Sequence, residues 1–356
     1  MKAPKSICVL RLSAIGDVCH VLSTVQLIQH TYPDCDITWV MGKVEAQLFN
    51  EIPGITVIVF DKKQGLKGMC KVWRKLKRSN FDYLLHMQVA LRASILTLGI
   101  KANVKLGFSW ARAKEGQWLF TNSKLAKANT THVLDHFSDF ARALGCPEQE
   151  PKWNIPIAEK DKKLAQSVAT KSFIVISPAA SKDERNWLVE RYAKVAEHAY
   201  HRGYQVVLCG SPISREMLLA KSIVQSADVP ITNLVGQTNL KQLTALLSLA
   251  SLVIAPDSGP AHLATTQGTP VIGLYAHSNP NRTGPYNSLT HVVSVYEQAA
   301  ELQYNKPVKE LAWGSRVKGK ELMSLIETST VITMLDKVLE SISLPVKNNK
   351  SNQRTS

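Results

Sequence analysis

The sequence lacks any apolar stretch long enough to cross a membrane. Its longest apolar runs contain about six residues, whereas a spanning helix needs about 20. The first apolar run begins after residues 1–6 and is interrupted at Arg11, so it is also too short for the apolar region of a secretory signal. We therefore expect neither a transmembrane helix nor export, and place the protein in the cytoplasm.

Cysteine is sparse, and no two cysteines have the spacing that binds zinc or carries redox chemistry. None of the six forms a C-x-x-C pair. Several fall in apolar runs, where a thiol packs as a small apolar group. The pattern predicts reduced, buried thiols at Cys8, Cys19, Cys35, Cys70, Cys146 and Cys209.

Two common motifs for nucleotides and metals are also missing. The turn after the first strand-like run contains a single glycine, Gly16, whereas the dinucleotide fingerprint G-x-G-x-x-G needs three, which disfavours an NAD site. One D-x-D triplet exists, Asp34-Cys35-Asp36, but it precedes the second strand-like run instead of following a strand. We interpret the triplet as a surface turn and expect no cofactor and no bound metal.

Positive charge, by contrast, is present in excess. The chain carries 43 lysines and arginines against 28 acidic residues, a formal net charge of +15. Such an excess predicts an anionic partner, and charge alone leaves open nucleic acid, an anionic membrane face or a phosphorylated substrate. Four cations recur every three or four residues, as on one face of a helix: Lys67, Lys71, Arg74 and Arg78. An ordinary solvated helix face is the alternative.

Short strand-like runs alternate with helical patterns, which is typical of parallel α/β sheets. The runs cover 7–12, 37–41, 57–60, 83–87, 173–176, 206–209, 252–255 and 271–274. Three prolines in 147–156 indicate a linker. We expect two doubly wound domains, at 1–160 and 161–330, then a terminal helix at 331–345 and a disordered tail at 346–356.

The most informative segment is 255–262, which follows an apolar run and reads Ala-Pro-Asp-Ser-Gly-Pro-Ala-His. Ser258 and Gly259 would expose backbone N–H groups, and Pro260 suits the first turn of a helix, whose N-terminus attracts anions. Asp257 cannot itself attract a phosphate, so we expect it to accept hydrogen bonds from sugar hydroxyls beside one. The segment therefore predicts a nucleotide-sugar site.

A second acidic turn ends the first strand-like run, with Asp17 at the start of a predicted helix. The residue pattern leaves two roles open for Asp17. It could cap the helix, which stabilises the first helical turn by about 1 kcal/mol, or act as a general base at the carboxyl edge of the sheet. His20 follows one turn later on the same face. In the second half, Arg185 could bind a phosphate and Glu216 a ribose diol.

Taken in order, these elements resemble the lipopolysaccharide heptosyltransferases of glycosyltransferase family 9, of the type that first extends the inner core. The resemblance covers roughly residues 6–340, and two motifs carry most of it: Arg11-x-Ser13-x-x-Gly16-Asp17-x-x-His20 and Asp257-Ser258-Gly259-Pro260-Ala261-His262. It implies an α/β fold of the GT-B type, two Rossmann-like doubly wound domains facing across a cleft. The donor would bind the second domain and the acceptor the first, and the last helix would cross back to the first domain.

Position by position, the resemblance implies that Asp17 is the catalytic base and that the donor is bound by Ser181, Arg185, Glu216, Asp257, Ser258, Gly259 and His262. The implied reaction is inverting transfer of L-glycero-D-manno-heptose from ADP-heptose to a 3-deoxy-manno-octulosonic acid (Kdo) residue of Kdo-lipid A, without a metal. Candidate acceptor-binding residues are Ser13, His20, Lys67, Lys71, Arg74, Arg78, Arg92, Arg112 and Lys114. The basic N-terminal half would also hold the enzyme on the anionic cytoplasmic face of the inner membrane.

Other interpretations stay open at this point. A later heptosyltransferase, or another nucleotide-sugar glycosyltransferase of the same family, would use the same motifs. A nucleotide-sugar epimerase shares the two-domain architecture but would convert the donor without an acceptor. A nucleic-acid-binding protein accounts for the positive charge, yet it leaves the turns at Asp17 and Asp257 unexplained and requires steeply salt-dependent binding.

Overall fold

The computed structural model describes residues 3–127, 130–168 and 171–343. These residues contain two six-stranded sheets, one in each half of the chain. The first sheet consists of β1 (Ser6–Leu10), β2 (Asp36–Gly42), β3 (Ile55–Phe60), β4 (Phe81–His86), β5 (Ala102–Gly107) and β6 (Ser123–Lys124). The second consists of β7 (Phe173–Ile176), β8 (Gln205–Leu208), β9 (Ile231–Asn233), β10 (Leu252–Pro256), β11 (Val271–Tyr275) and β12 (Val293–Ser294).

Helices alternate with the strands, as the sequence pattern predicts. The first half contains α1 (Ile15–Thr31), α2 (Lys43–Phe49), α3 (Gly65–Leu76), α4 (Leu91–Leu96) and α5 (Val133–Ala143). The second half contains α6 (Glu159–Val168), α7 (Val189–His201), α8 (Ser214–Ser226), α9 (Leu240–Leu249), α10 (Gly259–Thr266), α11 (Pro280–Thr283), α12 (Tyr296–Tyr304) and α13 (Thr328–Ser343).

Both sheets have the same topology, and this fixes where a ligand can bind. The strand orders are β3-β2-β1-β4-β5-β6 and β12-β11-β10-β7-β8-β9, and all neighbouring strands are parallel. The direction of winding reverses between β1 and β4 in the first sheet and between β7 and β10 in the second. In open parallel sheets, ligands bind outside the carboxyl ends of the strands at such switch points.

The two halves meet through helices that pack on each other directly. One continuous cluster of buried apolar side chains includes residues of both halves, among them Val18 of α1 and Ala261 of α10. Helix α1 packs on α10, and α2 packs on α9. The carboxyl ends of the two sheets therefore face a common cleft.

The last helix packs differently from the arrangement that the resemblance implies. Val331, Leu335 and Leu339 of α13 are buried in the core of the second half, and α13 contacts α7, β11 and β12. The helix therefore covers the second sheet and does not cross back to the first domain, because its apolar stripe is already buried there. The expected tail, 346–356, lies outside the described residues.

Several smaller expectations can also be compared with the structure. Five of the six cysteines are buried, as predicted, but Cys70 is exposed on α3. The D-x-D triplet lies at the amino end of β2, away from the cleft, with Asp34 and Asp36 exposed.

The boundary expected near residue 160 lies in the first turn of α6, which packs on α9. No helix within the described ranges has both the length and the apolar character to cross a membrane.

The packing of α13 predicts the effect of truncating its buried side chains. Leu335→Ala should lower the free energy of unfolding by about 2–4 kcal/mol, because it leaves a cavity in the core of the second half. The matched control is Ile342→Ala on the same helix, since Ile342 is 41% exposed. Thermal unfolding of both variants checks the prediction, and equal melting temperatures would contradict it.

Candidate active site

A cavity of about 1060 Å³ lies between the two halves, at the carboxyl ends of both sheets. The turns that follow β1, β7, β8 and β10 all contribute side chains to its wall. These turns contain most of the residues that the sequence analysis selected. Those that line the cavity are Asp17, His20, Arg112, Lys114, Ser181, Arg185, Glu216, Asp257, Ser258, Gly259 and His262.

Asp17 lies at the start of α1 and is held by two interactions. Its Oδ2 accepts a hydrogen bond from the Ala14 N–H at 3.3 Å, which closes the first turn of the helix. The same oxygen forms an ion pair with the Arg11 guanidinium, and Arg11 also donates from Nη1 to the Met87 carbonyl at 2.7 Å. The Asp17 side chain remains 34% exposed. Asp17 is therefore a capping residue that also presents an accessible, oriented carboxylate to the cleft.

The turn after β10 places a second carboxylate beside a helix N-terminus. The Asp257 Oδ2 accepts a 2.6 Å hydrogen bond from the Ser278 hydroxyl, and its Oδ1 lies 3.8 Å from the His262 Nε2. Burial alone would raise the pKa of Asp257, but His262, Ser278 and Arg185 together hold that pKa below its usual value. Asp257 therefore stays ionised and can accept hydrogen bonds from a ligand.

These two acidic turns touch each other. A Cβ added at Gly16 would overlap the His262 ring, and a Cβ at Gly259 would lie 3.5 Å from the Ile15 side chain. The N-termini of α1 and α10 therefore converge across the domain interface. Because a helix N-terminus carries a partial positive charge, this convergence favours binding of an anion in the cleft.

A buried histidine cluster supports that contact. The His20 ring lies 4.7 Å from the His262 ring and 5.4 Å from the His132 ring, both in edge-on geometry. Burial, reinforced by His262, lowers the pKa of His20 well below its usual value, and burial lowers the pKa of His132 to about 4. His132 also accepts from the Leu134 N–H at 3.1 Å, so its ring caps α5. His20 thus packs the domain interface as well as lining the cavity.

The remaining donor-side candidates lie around the turns after β7 and β8. Arg185 is buried, and its Nε has no hydrogen-bond partner among the described residues. Its pKa is lowered, mainly by burial and secondly by the positive charge of nearby Arg316. Ser181 is exposed to the cavity. The Glu216 Oε2 accepts from the Ser211 N–H at 2.7 Å, close to Gly210, where a Cβ would lie only 2.9 Å away. Gly210 therefore allows the Glu216 carboxylate to approach the strand end.

Sequence reasoning missed the members of a cationic cluster that belong to the second half of the chain. Trp313 lies between two guanidinium groups, with the Arg112 Cζ 3.6 Å and the Arg282 Cζ 4.0 Å from its ring centre. Its indole N–H donates to the Thr131 carbonyl at 2.7 Å. Arg282, Trp313 and Arg316 all line the cavity. The only sequence signal was an isolated tryptophan in an irregular stretch, because the contact joins residues about 200 positions apart.

Six of the expected acceptor-binding residues do not line the cavity: Ser13, Lys67, Lys71, Arg74, Arg78 and Arg92. Helix α3 ends at Leu76, so Arg78 lies beyond the predicted helical face. Lys67, Lys71 and Arg74 are exposed on α3 and Arg92 on α4. Within the described part of the chain, no group of three or more His, Cys, Asp or Glu side chains could hold a metal ion.

Comparison with known proteins agrees with this geometry. Residues 69–312 match the family model of glycosyltransferase family 9 (heptosyltransferase). The chain belongs to glycosyltransferase family 9. The chain is also 51% identical over 339 residues to the lipopolysaccharide core heptosyltransferase OpsX of Haemophilus influenzae, covering 95% of this chain and 98% of that one. The predicted family and the prediction of a glycosyltransferase are therefore confirmed.

Solved structures confirm the GT-B prediction. A family 9 glycosyltransferase from Veillonella parvula superposes with a TM-score of 0.78 at 25% identity, covering 96% of this chain and 99% of that one. The Escherichia coli heptosyltransferase WaaC, solved with ADP, superposes with a TM-score of 0.72 at 18% identity, covering 94% and 99%. The similarity in fold to these two structures therefore extends over nearly the whole length of this family 9 enzyme.

The contact at Gly16 generates a direct prediction. Gly16→Ala should lower the melting temperature and the activity, because the new methyl group overlaps the His262 ring at the domain interface. The double variant Gly16→Ala with His262→Ala should lose less stability than the two single losses added together, because removing the ring relieves the overlap. Strict additivity in thermal unfolding would contradict a direct contact.

The histidine cluster predicts acid sensitivity. The pKa of His132 is about 4 in the folded enzyme and about 6.5 in an unfolded chain. Between these values the unfolded state binds the extra proton, so stability present above pH 6.5 is lost as the pH falls toward 4, by at most about 3 kcal/mol for this group. His132→Gln should flatten the fall of melting temperature between pH 6.5 and pH 4.5, and an unchanged slope would refute this assignment.

Proposed function

We propose that this family 9 enzyme transfers L-glycero-D-manno-heptose from ADP-heptose to a Kdo residue of Kdo-lipid A, with inversion, during synthesis of the lipopolysaccharide inner core. The observation that carries the proposal is the contact of Gly16 with His262, which holds the accessible Asp17 carboxylate opposite the N-terminus of α10. A base and an anion site therefore face each other across one cleft.

The donor side is built for an anionic nucleotide sugar. The backbone N–H groups at Ser258 and Gly259, together with the Arg185 guanidinium, would bind the diphosphate. The ionised Asp257 would accept hydrogen bonds from hydroxyls of the donor, and the Glu216 carboxylate would bind the ribose diol. Ser181 lies on the same wall, where its hydroxyl can donate to a phosphate oxygen.

The reaction follows from this placement. Asp17 takes the proton from an acceptor hydroxyl as that oxygen forms a bond to the anomeric carbon of the donor. The bond from the anomeric carbon to the diphosphate breaks on the opposite face of the sugar, and ADP leaves with the electron pair. Arg185 and the N-terminus of α10 stabilise the negative charge that develops on the leaving diphosphate. Arg11 keeps the Asp17 carboxylate oriented through the ion pair.

The acceptor would enter from the side of the cationic cluster. Arg112, Lys114, Arg282 and Arg316 line the cavity, and within the described residues none of the four forms an ion pair. Unpaired cations in a cleft favour an acidic ligand, and a Kdo carboxylate satisfies that requirement. The two arginines on Trp313 belong to different halves of the chain, so an acidic acceptor would also draw the halves together.

The same proposal places the enzyme at the cytoplasmic face of the inner membrane, where Kdo-lipid A is embedded. Lys67, Lys71, Arg74 and Arg78 are exposed outside the cavity. Each such cation contributes about 1 kcal/mol of attraction near an anionic membrane surface. We therefore expect these residues to contact the lipid surface and not the sugar acceptor. Nucleic acid is not required to explain the positive charge.

The base assignment predicts a specific kinetic defect. Asp17→Asn should lower kcat by about 10²- to 10⁴-fold, while the dissociation constant for ADP-heptose stays within about twofold, because Asp17 belongs to the acceptor side. ADP release and calorimetric donor binding measure the two effects. The matched control is Asp34→Asn, since Asp34 is an exposed carboxylate at the other end of the sheet.

The acceptor is tested in the same assay with three arms. ADP release from ADP-heptose is measured without acceptor, with Kdo-lipid A, and with an acceptor that already carries one heptose. Release only with Kdo-lipid A supports the proposal. Release only with the extended acceptor would assign a later heptosyltransferase step, and donor turnover without any acceptor would indicate an epimerase-like or hydrolytic activity.

A further inference from the structure

The loop between β5 and β6, residues 108–122, has two differently built sides. On the inner side, Phe108, Arg112 and Lys114 line the cavity. On the outer side, Trp110 is 66% exposed, Trp118 41% and Leu119 70%. Large apolar side chains that are exposed next to one another are unusual on a protein surface, and such a patch indicates an interaction site.

Two of these outer residues, Trp110 and Trp118, lie in contact, and Leu119 follows Trp118 in the chain. The Trp110 and Trp118 rings are 5.6 Å apart and tilted by 35°. The Lys124 ammonium lies 3.8 Å from the Trp110 ring centre. The Leu91 N–H donates to the Glu115 carboxylate of the loop at 2.7 Å, and Leu91 is itself 48% exposed. We call Leu91, Trp110, Trp118 and Leu119 the aromatic patch.

The loop is fixed from behind, so the patch does not depend on a flexible segment. Gln117 is fully buried. Its Oε1 accepts from the Phe108 N–H at 3.2 Å, and its Nε2 donates to the His86 carbonyl at 2.9 Å. These hydrogen bonds join the start of the loop to Gln117 and join Gln117 to β4, while Trp110, Trp118 and Leu119 remain exposed.

We propose that the aromatic patch is a lipid-docking surface that enters the headgroup region of an anionic bilayer. Tryptophan suits that region because its ring is apolar while its N–H can meet water or a headgroup. Charge complementarity favours lipid over a second copy of the chain: Lys124 lies against the Trp110 ring of the patch, and Arg92 is exposed beside Leu91. Glu115, an acid that contacts the patch, already accepts the Leu91 hydrogen bond.

This inference deepens the proposed function and rests on it for the nature of the acceptor. When the outer side of the loop lies in the bilayer, Arg112 and Lys114 on its inner side lie just beyond the headgroups. The acyl chains of the acceptor could then stay in the membrane while its acidic sugars enter the cleft. One loop would couple membrane docking to acceptor binding.

Binding to lipid vesicles tests the patch directly. The full chain is sedimented with vesicles of phosphatidylglycerol and phosphatidylethanolamine, and with neutral phosphatidylcholine vesicles. Trp110→Ala and Trp118→Ala should each weaken binding to the anionic vesicles about tenfold, and Leu119→Ala somewhat less. The matched control is Leu302→Ala on α12, since Leu302 is 87% exposed in the second half. Wild type should bind neutral vesicles more weakly than anionic ones.

Activity separates this inference from the proposed function. Trp110→Ala should keep wild-type turnover on a water-soluble, deacylated Kdo acceptor and lose at least about fivefold on Kdo-lipid A embedded in vesicles. Equal vesicle binding by variant and wild type would overturn the docking surface, and so would equal losses on both acceptors. A wild-type dimer that Trp110→Ala converts to a monomer in light scattering would assign the patch to self-association instead. If wild type used neither acceptor, the proposed function would fail while vesicle binding still decided the patch.

Discussion

The two acidic turns can share one cleft only because Gly16 has no side chain. Its Cα faces the His262 ring, and any larger residue would push α1 away from α10. That single contact brings two helix N-termini together, and with them Asp17 and the anion-binding turn at Asp257. His20 and His132, behind this contact, stay neutral through burial, so these two rings add no like-charge repulsion next to the cationic side chains.

The electrostatics of the cleft follow from how each charge is paired. Asp17 is paired with Arg11, and Asp257 is held by Ser278 and His262. Arg112 and Arg282 instead stack on Trp313, an interaction worth about 0.5–2 kcal/mol that leaves guanidinium N–H groups free for a ligand. The carboxylates are therefore fixed in position, whereas the cations retain capacity to bind an anionic donor and an acidic acceptor.

Much of the fold could be predicted from the sequence. All eight predicted strands form. Seven of them are interior strands, most of whose residues are buried, and such strands appear as short apolar runs. The eighth, β3, is an edge strand of partial burial, but it too is an apolar run. The four strands that were missed, β5, β6, β9 and β12, lie at or next to sheet edges. The burial of β5 and β9 is only partial, and β6 and β12 are two residues long, so none carries a strong apolar signal. Helix α13 was predicted, but the resemblance placed it against the first half, whereas it packs on the second; periodicity gives an apolar face and not its partner.

The sequence by itself determined which residues stand at the carboxyl ends of the strands. In a parallel sheet that position follows from local periodicity, which is how Asp17, Arg185, Glu216 and Asp257 were found. Only the tertiary structure decided that the α3 cations lie outside the cavity and that Arg282, Trp313 and Arg316 line it. Those outcomes depend on how two separately wound domains pack together, and contacts between residues far apart in the chain leave no periodic trace in the sequence.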